Sequence, residues 1–384
     1  MSKGPRWAAL AALATLSAWL SRLDVASLDS KMFGSGRPPN AQLIPGLLDR
    51  DAKRIKGAKW RQGPALMEEA KRKVDPAMPP LEDRVYVVTG ATRGHGVHTA
   101  ARLLDAGCTV ILHGKDEGRL VDYALELGKA FPDGKIDTFL CDLREPDEVK
   151  ALGHLIAERH PKIHGILHNA ATIDGDFTGR RCYTWNDRME TTIAVNAMAP
   201  FLLTAGLMPQ LQAAGNARVM FASSPTMNGE EFLDDLKCER FWSGLHAYRL
   251  SKLSLEMVVK EMHSRYGNAP NLTFHTFNPG VANTQLMRQG TAFGSGKKRN
   301  RAERGWPMDI PSYLPVPRKQ KASFFAMVDD AFQHQSGTFV SDGIEKLKAI
   351  HDAPARAKLW EEFVEFTGAE WPKVKNEVRE VMNA

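Results

Sequence analysis

Residues 85–104 have the sequence VYVVTGATRGHGVHTAARLL, and this stretch decides the fold. Its apolar residues predict a buried strand at Val85–Thr89, and the spacing within Val97–Leu104 predicts a helix. The glycines between them let the backbone turn tightly and approach a pyrophosphate, which the N–H groups at the start of the helix can bind. The GxxxGxG spacing at this junction therefore predicts a dinucleotide site that opens an α/β unit.

Short apolar runs and amphipathic stretches alternate through the rest of the chain. Further strands are predicted at Thr109–His113, Ile136–Cys141, Ile163–His168, Arg218–Ser223, Leu272–Phe277 and Gly337–Val340. Further helices are predicted at Arg119–Phe131, Val149–Arg159, Trp185–Gln212 and Leu245–Tyr266. This alternation indicates a parallel sheet covered on both faces. We expect one α/β domain over residues 81–384, with a doubly wound, Rossmann-type sheet.

The composition is that of a globular protein. The chain has 384 residues, of which 43% are hydrophobic and 25% charged, and its net charge is +6. Wholesale disorder is excluded by this composition. The mild positive charge is compatible with a basic cofactor cleft or an anionic membrane surface. The sequence contains no basic stripe interleaved with aromatic residues, so a nucleic-acid partner is not expected.

The cysteines give no sign of a metal site. Cys108, Cys141, Cys182 and Cys238 show neither CxxC spacing nor paired histidines at ligand distances. Cys108 and Cys141 lie at the edges of apolar strand-like runs, so we expect reduced thiols in the core.

The first 80 residues differ in character from the rest. Lys3 and Arg6 precede the apolar run Trp7–Leu20, which as a helix would span about 21 Å, less than the roughly 30 Å hydrocarbon core. We predict a membrane anchor or targeting segment over residues 1–30, with packing on the domain as the alternative. Residues 31–80 are predicted to be a linker with helical content. The expected location is membrane-associated, at the endoplasmic reticulum or alternatively a plastid.

The end of the second predicted strand bears on the choice of cofactor. Sites for NAD place an acidic residue there to hold the ribose 2′-hydroxyl, but this chain has His113-Gly114-Lys115 and no acid before Asp116. Lys115, together with Arg93 of the glycine loop, offers positive charge for a 2′-phosphate. The pattern favours NADP(H) over NAD(H), with two solvent-facing charges as the alternative.

A tyrosine and a lysine lie four residues apart in the predicted helix Leu245–Tyr266. Tyr248 and Lys252 of the segment YRLSK therefore share a helix face. A phenol titrates near pH ~10, and a neighbouring ammonium lowers that pKa, which makes the pair a usable general acid and base. Ser223 and Ser224 end a strand at the carboxyl edge of the sheet, where a hydroxyl can polarise a carbonyl.

With these motifs the chain resembles the short-chain dehydrogenase/reductase family over residues 82–345. The matching residues are TGATRGHG at 89–96, Cys141-Asp142-Leu143, His168–Ala171, Val195-Asn196, Ser223-Ser224, Tyr248–Lys252, Asn278-Pro279-Gly280 and Thr284. The resemblance implies that Tyr248 is the general acid/base, that Lys252 lowers its pKa and holds the ribose, and that the second serine, Ser224, polarises the carbonyl. It also implies that Asn196 holds a water in a proton relay.

The resemblance further implies the cofactor contacts. Asp142 would contact the adenine and Asn169 would support the cofactor, while Pro279, Gly280 and Thr284 would flank the nicotinamide amide. The complete expected set is Gly90, Thr92, Arg93, Gly94, His95, Gly96, Lys115, Asp142, Leu143, Asn169, Ala170, Tyr248, Lys252, Pro279, Gly280 and Thr284. The chain departs from the family pattern at His168 and Ala171, which replace the common Asn and Gly.

Two segments are similar to the retinol dehydrogenase-like branch: the insertion at 229–247 and the closing segment at 355–368. The implied activity is hydride transfer between the nicotinamide and a carbonyl or alcohol of a retinoid, steroid or lipid aldehyde. A lid is expected at about 285–320, and self-association into a homodimer is left open. The alternatives are a protochlorophyllide-reductase-like enzyme and a catalytically silent NADPH-binding protein.

Overall fold

The strand and helix bounds come from a computed structural model of the full chain. The structure describes residues 41–42, 81–92, 94–173, 181–185, 188–224, 226–227, 229–267, 271–279, 324, 326–328, 336–340, 344–346 and 353–373. The predicted membrane or targeting segment and the predicted lid lie outside the described residues, as do three expected cofactor contacts, Arg93, Gly280 and Thr284.

The described elements alternate between strand and helix as the sequence predicts. The strands are β1 Ala41–Gln42, β2 Val85–Val88, β3 Thr109–Gly114, β4 Lys135–Leu140, β5 Gly165–His168, β6 Tyr183–Thr184, β7 Met189–Glu190, β8 Ala217–Ala222, β9 Leu272–Phe277, β10 Thr338–Val340 and β11 Ile344–Lys346. The helices are α1 Gly94–Asp105, α2 Glu117–Ala130, α3 Pro146–Arg159, α4 Thr191–Ile193, α5 Ala199–Ala213, α6 Gly244–Tyr266 and α7 Ala353–Thr367. A π-helical turn, Ala194–Met198, joins α4 to α5.

The main sheet has the strand order β1-β4-β3-β2-β5-β8-β9-β10-β11. Neighbouring strands are parallel except β10 and β11, which are antiparallel. One apolar cluster, which includes residues of α1 and α2, covers one face, and a second, which includes residues of α3, α5 and α6, covers the other. The predicted doubly wound Rossmann-type fold is confirmed. The strand order reverses between β2 and β5, which is where ligands bind in such sheets.

The prediction of one long helix over Trp185–Gln212 is wrong at its start. Trp185 has a φ of +55° and follows β6, which pairs antiparallel with β7. The helix begins only at Thr191, because the Glu190 carboxylate accepts a hydrogen bond from the N–H of Ile193 at 2.9 Å and caps it. The sequence analysis extended the helix predicted from the apolar residues after this short hairpin back to Trp185. In the predicted linker, the described residues Ala41 and Gln42 form a strand beside β4.

One described helical segment, Thr191–Ala213, is long and apolar enough to cross a membrane by length and composition. Inside the protein 94% of its apolar window is buried, so it packs as a core element of this domain. Cys108 and Cys141 are buried free thiols, as predicted. Burial raises the pKa of Cys108 to about 12, which keeps that thiol protonated.

An aromatic cluster packs α7 against the helices α5 and α6. Trp360 packs edge-on against Phe201 of α5 at 4.9 Å between ring centres, and it lies 4.8 Å from Trp371. Trp371 stacks on Tyr266, the last residue of α6, at 5.4 Å. The Tyr266 hydroxyl donates to the Pro372 carbonyl at 2.9 Å. The C-terminal part of the described chain thereby covers an apolar face of α5 and α6.

We expect Trp360→Ala to lower the free energy of unfolding by about 3–4 kcal/mol, because truncation of a buried indole leaves a cavity. Chemical denaturation measures the loss. The matched control is Lys358→Ala on the same helix, whose side chain is 72% exposed and which should change stability by less than about 0.5 kcal/mol. Equal small losses from both variants would show that α7 unfolds independently of the domain.

Candidate active site

The glycine loop after β2 requires glycine at two positions for steric reasons. Gly90 has a φ of +64°, and a Cβ on it would lie 2.9 Å from Cα of Ala170. A Cβ on Gly96 would lie 2.6 Å from Nδ2 of Asn169 and 2.7 Å from the Gly90 carbonyl oxygen. The loop leads directly into α1, whose first turn contains no acidic residue. This arrangement fits the pyrophosphate of a dinucleotide, because free helix N–H groups meet no competing negative charge.

Asn169, which follows β5, holds that loop in place. Its Nδ2 donates to the carbonyls of Thr89 and Gly90 at 3.1 and 3.3 Å. In return the Thr89 hydroxyl accepts hydrogen bonds from the N–H groups of Asn169 and Ala170, both at 3.1 Å. The resemblance implies that Asn169 supports the cofactor; in the structure its described bonds go to the loop itself.

His113 is a loop-supporting residue that the sequence analysis missed. Its Nδ1 accepts a hydrogen bond from the Gly90 N–H at 3.3 Å, so its Nε2 donates to the Cys141 carbonyl, at 3.0 Å. Burial lowers the pKa of His113 to about 4, which keeps this neutral tautomer. The imidazole thus ties the glycine loop to β3 and to the end of β4.

The residues that follow β3 form the expected adenosine side of the site. A Cβ on Gly114 would lie 2.5 Å from Cγ2 of Thr92, so glycine lets β3 end tightly against the loop. Lys115, the next residue, is exposed. The carboxylate of Asp142 forms an ion pair with Arg144, and Nε of Arg144 lies 2.9 Å from Oδ2. Partial burial raises the pKa of Asp142, but its hydrogen bonds with Arg144 outweigh this and hold the pKa below its usual value.

Several of the residues expected to contact the cofactor can offer it only backbone atoms or apolar surface. The His95 ring is buried and stacks on Phe277 at 5.4 Å, and burial lowers its pKa to about 3. Leu143 is buried in the apolar core. Pro279 follows β9 and is half-buried. His168, which departs from the family pattern, stacks on Phe221, and its Nε2 lies 2.9 Å from the Thr204 hydroxyl.

The structure brings Tyr248 and Lys252 together on α6. Nζ of Lys252 lies 5.6 Å from the centre of the Tyr248 ring and donates to the Ala222 carbonyl at 2.6 Å. Lys252 is 2% exposed, and its burial lowers its pKa to about 7. Burial raises the pKa of Tyr248, and a hydrogen bond with Ser224 works against that rise.

The expectation that Lys252 lowers the pKa of Tyr248 is therefore not met in this structure. The ammonium points to a carbonyl at the end of β8, and the burial of the phenol dominates. The consequence for the site is that the phenol stays protonated at neutral pH and can donate.

The two strand-end serines have different surroundings. The oxygen of the Ser224 side chain lies 2.8 Å from the Thr226 hydroxyl, and this serine interacts with the phenol of Tyr248. Ser223 is buried. Of the pair, Ser224 is the serine that faces the catalytic tyrosine.

Asn196 lies in the π-helical turn between α4 and α5. Its amide binds the backbone of Thr172 in both directions, with Nδ2 donating to the carbonyl at 2.9 Å and Oδ1 accepting from the N–H at 2.8 Å. Nδ2 also contacts the Ser251 hydroxyl at 3.1 Å, and that hydroxyl donates to the Tyr248 carbonyl at 2.7 Å. Asn196 thus connects the loop after β5 to the turn of α6 that carries Tyr248. π-Helical turns such as the one that contains Asn196 are common at functional sites.

A second titratable group on α6 was missed by the sequence analysis. Glu256 lies one helical turn after Lys252, is buried, and accepts a hydrogen bond from the Thr276 hydroxyl at 3.0 Å. Burial raises the pKa of Glu256 to about 7. Only the fold could reveal this contact, because Thr276 belongs to β9.

A glycine loop at the strand-order reversal, with a tyrosine, a lysine and a serine at the same edge of the sheet, defines a dinucleotide-dependent oxidoreductase. Among the described residues, no group of three or more His, Cys, Asp or Glu side chains could hold a metal ion. The sequence model of the short chain dehydrogenases matches residues 84–293, more than half of the chain. The chain belongs to this family, which confirms the resemblance.

Individual relatives have low sequence identity to this chain, but the similarity extends over most of its length. Human polyprenol dehydrogenase is 24% identical over 303 residues, which cover 77% of this chain and 88% of the relative. Human retinol dehydrogenase 13 is 25% identical over 308 residues, covering 79% and 90%. The crystal structure of an uncharacterized protein from Mycobacterium paratuberculosis is similar with a TM-score of 0.56 at 22% identity, covering 77% of this chain and 98% of that one. The relatives include the retinol dehydrogenase-like proteins that the insertion and closing segment predicted. The chain is an oxidoreductase of alcohol and carbonyl groups with a nicotinamide cofactor.

Proposed function

We propose that this protein is an NADP(H)-dependent oxidoreductase that transfers a hydride between the nicotinamide and a carbonyl or alcohol carbon of a hydrophobic substrate. The observation that carries the proposal is the position of Tyr248 beside the buried Lys252, whose Nζ lies 5.6 Å from the centre of the phenol ring and donates to the carbonyl of Ala222, two residues before Ser224. Two hydroxyl donors at one point can bind a single carbonyl oxygen. The bound cofactor supplies the hydride, and the protein supplies placement and proton transfer.

In the reductive direction, Ser224 and Tyr248 donate hydrogen bonds to the substrate oxygen and polarise the carbonyl. As negative charge develops on that oxygen, Oη of Tyr248 gives up its proton to form the alcohol. The raised pKa of the buried phenol keeps this proton available at neutral pH. In this proposal Lys252 holds the cofactor ribose, and Asn196 positions the turn of α6 that carries the tyrosine.

The choice of NADP(H) over NAD(H) rests on charge at the end of β3. Lys115 is exposed there, and the residues before it at the end of β3, His113 and Gly114, are not acidic. A 2′-phosphate bound there would therefore meet a cation and not a carboxylate. Arg93, which lies outside the described residues, is the second cation in this proposal.

Lys115→Glu is expected to weaken NADPH binding about tenfold or more, because a carboxylate replaces a cation opposite the phosphate. NADH affinity should stay the same or improve. Titration of both cofactors against intrinsic fluorescence measures this, with Lys129→Glu on α2, whose side chain is 72% exposed, as the charge-matched control. Equal losses for NADPH and NADH would contradict the assignment of Lys115 to the 2′-phosphate.

The names of the relatives support a hydrophobic substrate, since polyprenols and retinol are long apolar alcohols. The direct test is a panel of retinal, a steroid ketone and a long-chain aldehyde with NADPH and with NADH, plus the matching alcohols with NADP⁺. Turnover of at least one hydrophobic carbonyl is the expected result. NADPH binding without turnover of any of them would favour the silent binding protein, and turnover only under illumination would favour the protochlorophyllide-reductase-like alternative.

Two further expectations stay predictions. Membrane association through Trp7–Leu20, a segment that lies outside the described residues, is the first. Formation of a homodimer is the second.

A further inference from the structure

A second feature of the structure lies beside the catalytic residues. A pocket of about 450 Å³ opens between the inserted segment 229–243 and the first turns of α6. Its volume is within the range of small-molecule sites. The retinol dehydrogenase-like insertion supplies one wall, and residues of α6 supply the other.

Three rings form the apolar part of the pocket. Phe232 and Phe241 each meet His246 edge-on, at 4.6 and 5.0 Å between ring centres, and they lie 6.1 Å from one another. Phe241 is 50% exposed, although a large apolar side chain gains by burial. An unsaturated or ring-containing ligand that covered Phe241 would supply this burial and pack against all three rings.

Polar atoms in the same pocket lack protein partners. Nε of Arg249 and Nε2 of His246 are buried and make no hydrogen bond within the described part of the chain. Buried donors without acceptors are costly, and a guanidinium cannot avoid the cost by losing its proton. An oxygen atom of a ligand would supply the missing acceptor.

The charges around the pocket restrict the kind of oxygen. Glu231, an exposed carboxylate, lines the same pocket as Arg249, so the two formal charges cancel. The guanidinium of Arg240 lies over the Phe232 ring at 5.4 Å and is itself paired with Asp234. A neutral keto, hydroxyl or ester oxygen fits this balance better than a carboxylate or phosphate.

The pocket lies close to the reacting groups. Leu245 and Arg249 line it and lie on either side of Tyr248, within about one helical turn, or about 5 Å along α6. Gly229, another lining residue, comes five residues after Ser224. A long substrate whose carbonyl meets Tyr248 can therefore reach this pocket with its other end.

We propose that the pocket binds the end of the substrate remote from the reacting carbonyl, as an unsaturated hydrocarbon whose last ring or segment carries a neutral oxygen acceptor for Arg249. This inference rests on the proposed function and names the chemistry of its substrate. Phe241 and Arg249 are then specificity residues that bind equally in the ground and transition states, so they act on KM more than on kcat.

The test compares three aldehydes with NADPH: benzaldehyde, which is too short to reach the pocket, retinal, and retinal bearing a keto group on its ring. Phe241→Ala should raise KM about tenfold for both long aldehydes and leave kcat within about twofold. Arg249→Met, which keeps the length of the side chain, should raise KM about tenfold for the keto-bearing aldehyde alone. Benzaldehyde kinetics should be unchanged in both, as should all kinetics of Leu155→Ala, an exposed apolar residue on α3.

Equilibrium binding of the two long aldehydes, followed by quenching of protein fluorescence, gives a readout that does not need turnover. Unchanged Kd values in both variants would overturn the pocket proposal, whether or not the enzyme turns over benzaldehyde. Absence of turnover of every carbonyl by the wild type, together with weaker binding by the variants, would instead reject the proposed reaction and retain the pocket.

Discussion

Tyr248→Phe is expected to lower kcat about 10³-fold, within the range attributed to a general acid. The substitution removes a single oxygen, and with it the proton that must reach the substrate and the partner of Ser224. NADPH affinity should stay within about threefold, because the loop residues Gly90, Gly96 and Asn169 are untouched. Single-turnover kinetics and cofactor titration on the same preparation measure the two effects.

The control for Tyr248→Phe lies on the same helix. Tyr266→Phe also removes one phenolic oxygen, which donates to the Pro372 carbonyl at the far end of α6. It should cost about 1 kcal/mol of stability and leave kcat unchanged. A Tyr248→Phe enzyme with a rate near that of the wild type would refute the assignment of Tyr248 as the proton donor.

Gly90→Val is expected to weaken NADPH binding at least about 100-fold, equivalent to about 3 kcal/mol. A left-handed φ of +64° costs an L-residue roughly 1–2 kcal/mol, and the new Cβ would lie 2.9 Å from Cα of Ala170. Both effects push the loop away from the hydrogen bonds with Thr89 and Asn169 that fix it, so the pyrophosphate loses its preformed site.

The matched control is Gly128→Ala in α2, where the new Cβ meets Cδ1 of Ile136 at 4.0 Å and no other atom of the described residues within that distance. There the substitution should leave NADPH binding unchanged and raise stability by up to about 1 kcal/mol, because alanine favours the helix. Calorimetric titration distinguishes the two variants. NADPH affinity unchanged by Gly90→Val would show that this loop does not hold the cofactor.

Local patterns were sufficient to predict the alternation of strands and helices. Apolar runs, glycine spacing and the YRLSK face depend on neighbours within a few residues, so β3, β9 and α6 were predicted to within one or two residues. The hairpin that contains Trp185 was missed although Asn186 and Asp187 are turn-forming residue types, because the helix predicted from the apolar residues after it was extended back to Trp185.

The sequence could not show the supporting contacts of the site. His113 binds Gly90 across a separation of 23 residues, and Thr276 binds Glu256 from another strand. Such contacts depend on strand order, which local patterns do not contain. The pKa of Tyr248 also differs from the prediction that Lys252 lowers it, because helical spacing places Lys252 nearby but does not show that its ammonium bonds to Ala222.

The buried imidazoles have a consequence for the behaviour of this protein in acid. Burial lowers the pKa of His95, His168 and His275 to about 3 and that of His98 and His113 to about 4, so the folded chain holds these rings neutral where an unfolded chain would protonate them. Unfolding therefore takes up protons, and stability decreases as the pH falls below about 6.5. The raised pKa values of Glu190 and Glu256 act in the opposite direction between about 4.5 and 7, but two carboxyls are set against five rings.

Each ring contributes about 1.4 kcal/mol per pH unit in this window. Denaturation midpoints measured between pH ~7 and ~4.5 should fall steeply, because the unfolded chain takes up protons at these rings. Acidification would therefore abolish nucleotide binding by unfolding the chain that forms the site.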